Sequence, residues 1–246
     1  MTQGLLQRRR VIDMVDLKAL TNEEKMLLID TDKYIDFLRF CGRGNIHRFS
    51  PENQILIHRQ KPSAEIVVSY DEWAREGRYP SYGTGIHLYK TETFKVKNGC
   101  VFDIKDTRGK EFNKSIEISE KDHDFLNTIF KEPKENFEET LENLTRTYVR
   151  DTITVKGLGP FTKEEMENLI IESITLIVKE KCGIHGYILD ENRDRLNLLN
   201  SYAKFKPYFD ATQPVIQGVS HSIIHYINKK LRRKRKEIEA YEINIT

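Results

Sequence analysis

The residues of this chain with the plainest chemical capability are two histidines four apart, His221 and His225 in "HSIIH". On a helix they share one face and could chelate zinc. The residue after the first histidine is Ser222, where a metalloprotease of the H-E-x-x-H type carries its glutamate base, and no third ligand accompanies the pair. No metal site is therefore expected. Asp103 and Asp106 in "VFDIKDT" form a second pair. Such carboxylates can do acid/base work or hold Mg2+, but at a strand end their expected role is to accept backbone hydrogen bonds. Arg78 could bind a phosphate or serve a surface ion pair, and Trp73 could anchor a core or stack against a base. The chain has no G-x-x-x-x-G-K-[ST], no G-x-G-x-x-G and no G-x-S-x-G. Neither an enzymatic function nor a cofactor is expected.

Charge supplies a different chemistry. The formal net charge is only +2, yet nine acids lie between Glu117 and Glu142, against Lys121, Lys131 and Lys134. Seven of the eight residues from Lys229 to Lys236 are basic. A block of that kind can track a phosphate backbone by releasing counterions, or it can be a solvated helix end whose cations suit the C-terminal dipole. No run approaches the roughly 20 apolar residues of a membrane helix, and the N-terminus lacks the order of a secretory signal. A cytoplasmic protein without a membrane association is expected. Cys41, Cys100 and Cys182 are odd in number and far apart, which points to free, mostly buried thiols.

These groups must be positioned by elements that the spacing predicts. Thr21 and Glu24 read as a capping box opening a long helix through Phe37 and Leu38, bent near Asp30 to Asp32. Ser50 and Pro51 start a short helix that Pro62 stops. "AEIVVS" reads as a strand, and Ser69 with Glu72 caps a helix carrying Trp73 and ending at Gly77. A turn-rich loop follows to Gly85, then a strand through Ile86 and Leu88. "FKVKNGCVFDI" reads as a hairpin turning at Asn98-Gly99. About four short strands are expected between Ile66 and Ile104. Helical signals take over from Ser119, clearest from the capping box at Thr162 and Glu165 to Gly183. Two later helices, 191–204 and 215–241, are expected to be separated at Gln213-Pro214. The fold class is α+β: N-terminal helices and a small, mainly antiparallel sheet, then a mostly helical C-terminal half, with a boundary near residue 115 dividing domains 1–115 and 116–246.

The run "FSPENQILIHRQKPSAEIVVSYDEWAREGRYPSYGTGIHLYK", with "CVFDIKDTRG" after it, resembles the N-terminal domain of the ArdC antirestriction family. The similarity is to the branch found in mobile elements and phages of Gram-positive bacteria. It is carried by Phe49, Ser50, Asn53, Leu56, Ile57, Gln60, Pro62, Trp73, Gly77-Arg78, the Gly83 to Ile86 turn, Phe102-Asp103 and Asp106-Thr107, across roughly residues 30–110. "IIESITLIVKEKCGI" and "GVSHSIIHYINKKL" resemble that branch's helical extension. The resemblance implies a cytoplasmic domain that binds single-stranded DNA with little sequence preference, RNA remaining open, and protects an incoming element. Family members often carry lysines in the loop where this chain has Tyr79, Pro80, Ser81 and Tyr82. They also pair the domain with a metalloprotease-like domain that is not in these 246 residues.

On that reading Tyr79 and Tyr82 stack bases, and Arg48, His58, Arg59, Arg75, Arg78, Lys90 and Lys95 contact phosphates. Lys229, Lys230, Arg232, Arg233, Lys234, Arg235 and Lys236 add a salt-sensitive grip. The alternative is a protein partner: an antagonist that holds a host restriction or defence nuclease through the acidic stretch as a DNA mimic.

Overall fold

The structure, a computed structural model, describes residues 16–89, 99–112, 118–130, 133–185 and 190–243, with side chains up to 234 in the last helix. The elements, in order, are α1 (Leu17–Leu27), α2 (Thr31–Gly42), α3 (Pro51–Gln60), β1 (Val67–Val68), α4 (Tyr70–Arg75), β2 (Arg78–Pro80), β3 (Ile86–His87), β4 (Cys100–Asp103), β5 (Thr107–Gly109), α5 (Glu120–Ile129), α6 (Phe137–Thr152), α7 (Lys163–Lys181), α8 (Asp190–Asn197) and α9 (Tyr202–Ile243). Short 3-10 turns occupy Ile46–Arg48 and Ile104–Asp106. This is an α+β fold with a helical C-terminal half.

Local chemistry accounts for most of the boundaries. Ser69 and Glu72 form the expected capping box of α4, as do Thr162 and Glu165 for α7. Pro51 sits at the first position of α3, where its missing N–H costs nothing. The expected long first helix is two helices. Asp16 caps α1 and Asp30 caps α2 with a new N-terminus. Thr21 lies inside α1, its hydroxyl donating to the Leu17 carbonyl, and Glu24 is drawn to His58.

The break expected at Gln213-Pro214 is absent, and α9 runs through both Pro207 and Pro214. An interior proline costs about 3 kcal/mol. Here Phe205, Tyr208, Phe209, Thr212, Gln213 and Ile216 are all buried around the two prolines, so packing outweighs the lost hydrogen bonds.

The core is continuous across residue 115. Phe37, Leu38 and Phe40 of α2 join Leu169, Ile174 and Val178 of α7 and Tyr208 and Ile216 of α9 in one buried cluster. Helix α2 lies along α7, and α7 in turn packs against α6 and α9. Gly42 permits the closest approach, since a Cβ there would stand 2.3 Å from the Ile177 carbonyl oxygen. A buried polar chain crosses the same seam: Ser173 Oγ lies 3.2 Å from the Tyr208 hydroxyl, and Gln213 Nε2 donates to the Tyr34 hydroxyl at 3.2 Å.

Among the described residues the strands form an antiparallel sheet in the order β1-β4-β3 and a two-stranded ribbon, β2-β5. Gly99 has φ +68° and its carbonyl accepts from the Leu88 N–H, and the described partners of β4 are β3 and β1. Asn98 and the run before it lie outside the described residues. Three side-chain amides each bind both the N–H and the C=O of one residue in or just beyond a strand. Asn45 does this for Val67. Asn53 serves Tyr89, and Gln60 serves His87. The Asp103 carboxylate accepts from the Glu65 and Ile66 N–H groups at 2.9 and 3.1 Å, its expected role, while Asp106 pairs with Lys61. Trp73 is 1% exposed and donates through Nε1 to the Phe102 carbonyl. The residues that carry the family resemblance are thus largely the hydrogen-bonding frame of this small sheet.

Cys41 and Cys182 are buried, and burial pushes both thiols up, Cys182 to about 12. Cys100 is half-buried, its Sγ 3.2 Å from His87 Nδ1. An aromatic disulfide reagent is expected to label Cys100 alone in the native chain, and all three cysteines after denaturation. A second fast thiol in the native chain would mean that the α2 and α7 packing opens readily.

Candidate nucleic-acid interface

A wide concavity lies between the two halves, lined by residues of both. Its volume is about 1270 Å³, above the roughly 300–1,000 Å³ of small-molecule sites. One wall is a stripe of α9 in which His221, His225, Lys229 and Arg232 follow one another at spacings of four, four and three, with Asn228 beside Lys229, so that they share a face. From His221 to Arg232 the stripe runs about 16 Å along the helix axis. Facing residues come from α4, with Glu72, Trp73 and Arg75, from Glu76 just after it, and from Phe112. Gly44, Asn45, His47 and Arg48 make the floor with Lys181, the last residue of α7. Gly44 has φ +43°, and a Cβ on it would collide with the Glu65 carbonyl, so glycine sets the course of the loop. Its own carbonyl accepts from Lys181 Nζ, which fixes that otherwise buried cation at the floor.

Five cationic side chains line the cleft, Arg48, Arg75, Lys181, Lys229 and Arg232, against two carboxylates, Glu72 and Glu76. The cations come from four separated segments, and all but Lys181 are exposed. Ile66, Val68 and Phe112 give the same cavity an apolar side. The arrangement can hold a polyanion that also carries flat apolar groups.

The residues expected to contact nucleic acid divide accordingly. Arg48, Arg75, Lys229 and Arg232 come together on the cleft. Tyr79 and Tyr82 stand apart from it on the ribbon and the turn after it, 56% and 92% exposed, with Arg108 opposite Tyr79 across the ribbon. Arg78 is turned inward, donating to the Thr107 hydroxyl and carbonyl and to the Lys110 carbonyl, so it ties the ribbon together. His58 is 2.5 Å from Glu24 and packs between the rings of Phe37 and Phe40. Arg59 pairs with Glu23 at 3.0 Å.

The basic block itself is split. Lys229 and Arg232 face the cleft, whereas Lys230 Nζ lies 5.4 Å from the Tyr226 ring and Lys234 Nζ 4.2 Å from the Phe125 ring of α5. Cation-π contact of this kind holds a lysine to its own protein. Arg233 is exposed on the same helix. Lys90 and Lys95, and the side chains of Arg235 and Lys236, lie outside the described residues.

His47, Lys181 and Phe112 carried no linear signal, because each becomes part of the site only through the packing of distant segments. His221 and His225 were visible as a pair. Their rings are 6.4 Å apart, and among the described residues there is no group of three or more side chains suited to a metal ion. In the acidic stretch Glu138 and Glu142 share Lys179, which neutralises part of that surface. Among the described residues no helix is long and apolar enough to cross a membrane. No protein-family model matches the chain, and neither a curated protein nor a solved structure matches it.

Proposed function

We propose that this chain binds single-stranded nucleic acid, DNA in the first instance, and protects the DNA of a mobile element or phage from host restriction. The observation that supports binding is the convergence of Arg48 and Arg75 with Lys229 and Arg232 on one open cleft. The protective role rests on the resemblance to the ArdC N-terminal domain. The strand lies with its phosphates along the α9 stripe and its bases toward Phe112, Ile66 and Val68. Tyr79 and Tyr82 offer further bases a stacking surface on the ribbon. The internal pairing of Glu138 and Glu142 with Lys179 makes an acidic DNA mimic the weaker reading.

The test is a titration of the protein against fluorescent single-stranded and double-stranded DNA 30-mers and a single-stranded RNA 30-mer, across a series of salt concentrations. Tighter binding to the single strands is expected. Four neutralised phosphates give a slope of log K against log salt of about −3. Tyr79→Ala and Tyr82→Ala are each expected to cost about 1–3 kcal/mol of binding, the worth of one stacked base. Unchanged affinity in both variants would remove the ribbon from the strand's path. No binding to any oligonucleotide at low salt would overturn the proposal and move the function to a protein partner.

A further inference from the structure

The cleft contains three imidazoles in a row. His47, on the 3-10 turn, has its ring centroid 5.7 Å from that of His221, and His221 lies 6.4 Å from His225, one turn along α9. The charged groups facing them are Arg48 from the same turn as His47, Lys181 from α7, and Lys229 and Arg232 from α9, with Glu72 and Arg75 from α4 and Glu76 just after it. The balance is cationic, which opposes the charging of an imidazole. His47 is only 7% exposed, and its Nδ1 has no hydrogen-bond partner. Burial first, then Lys181, His221 and Arg48, push its pKa down to about 3. Burial, then His225, also lower that of His221, against a hydrogen bond with the His47 backbone that raises it. A buried polar nitrogen without a partner is costly to leave in that state. One that borders a cleft ringed by cations is suited to an anion that would complete the site.

We infer that the His47, His221 and His225 row is a phosphate-receiving site within the cleft, and that seating a phosphodiester of the bound strand there draws a proton onto the row. This deepens the single-strand reading and rests on it. A phosphate oxygen accepts hydrogen bonds and never donates, so an imidazole meets it best as a donor, and an imidazolium donates from both nitrogens. The phosphate charge also offsets Lys181 and Arg48, which after burial lower the pKa of His47 in the free protein. The row's affinity for protons is therefore higher in the complex than in the free protein. Binding takes up protons, and affinity rises as pH falls from 8 towards 6. Each proton fully taken up contributes at most about tenfold per pH unit.

The experiment is isothermal titration calorimetry of the full chain with a thymidine 30-mer bearing 5′-hydroxyl ends, so that no phosphomonoester titrates. It is run at pH 6, 7 and 8 at constant ionic strength, in two buffers of different ionisation enthalpy. The expected result is an uptake of about one proton near pH 6.5 and an affinity about tenfold higher at pH 6 than at pH 8. His221 and His225 are exposed, and the double variant His221→Gln, His225→Gln is expected to keep its thermal midpoint at pH 8. In it, the ratio of affinities at pH 6 and pH 8 should fall to about one. Binding with no proton uptake, or a double variant that keeps the wild-type ratio, would overturn the row while leaving the cleft as the binding site. No binding at any pH would overturn the cleft reading, and the row with it.

Discussion

Reversing two charges on α9, with Lys229→Glu and Arg232→Glu together, is expected to weaken single-stranded DNA binding by on the order of 100-fold at moderate salt. Both side chains are exposed on the cleft wall. Each substitution removes a cation opposite Arg48 and Arg75 and puts a carboxylate where a phosphate should lie. The salt slope should flatten by about 1.4, from about 0.7 per lost phosphate contact. Circular dichroism and the thermal midpoint should be unchanged, since no core residue is touched. The matched pair Lys230→Glu and Lys234→Glu changes net charge equally, but on lysines held over Tyr226 and Phe125. A clearly smaller loss is expected there. Equal losses in the two pairs would mean that net charge, and not the cleft, governs affinity.

The largest stability effect is expected at Asp103. Its carboxylate is fully buried and accepts from the N–H groups of Glu65 and Ile66, with a longer contact to Lys105 N–H. Asp103→Ala leaves two part-buried donors without their partner, at about 1–3 kcal/mol each, so unfolding in urea should become easier by about 2–3 kcal/mol. Asp103→Asn keeps an oxygen at the position of Oδ1 and should lose less than half as much. If the two variants are equally damaged, the carboxylate's charge matters more than its role as a backbone acceptor.

Local signals in the sequence were sufficient for α4 and α7, because a capping box and an apolar stripe are complete within one segment. Asp30 was read as a bend inside one helix, and the structure makes it the cap of a second, since a side-chain oxygen that can satisfy free N–H groups favours a fresh start. The local sequence of the ribbon is that of a loop: Arg78, Tyr79 and Pro80 become a strand only because Thr107, Arg108 and Gly109 lie alongside. The unbroken course of α9 through two prolines depends on the burial of its neighbours, which no local rule contains. The candidate site was half legible. Arg48, Arg75, Lys229 and Arg232 were visible as individual cations, but their meeting is a property of the seam between the halves. Arg78, by contrast, looked like a phosphate ligand and is engaged within the ribbon.

The three amide clamps govern how the sheet can meet other molecules. β1 and β3 are the outer strands of a three-stranded sheet, and an outer strand ordinarily offers a ladder of free N–H and C=O groups onto which another chain can add a strand. At Val67, His87 and Tyr89 those groups are already engaged by Asn45, Gln60 and Asn53. Strand addition there is blocked from both edges, by an extended peptide and by a second copy alike. A helix and a loop thus act as a sealing strip, built from side chains, for a sheet too small to protect itself by length or closure. Whatever meets this sheet at those three residues must do so through side chains.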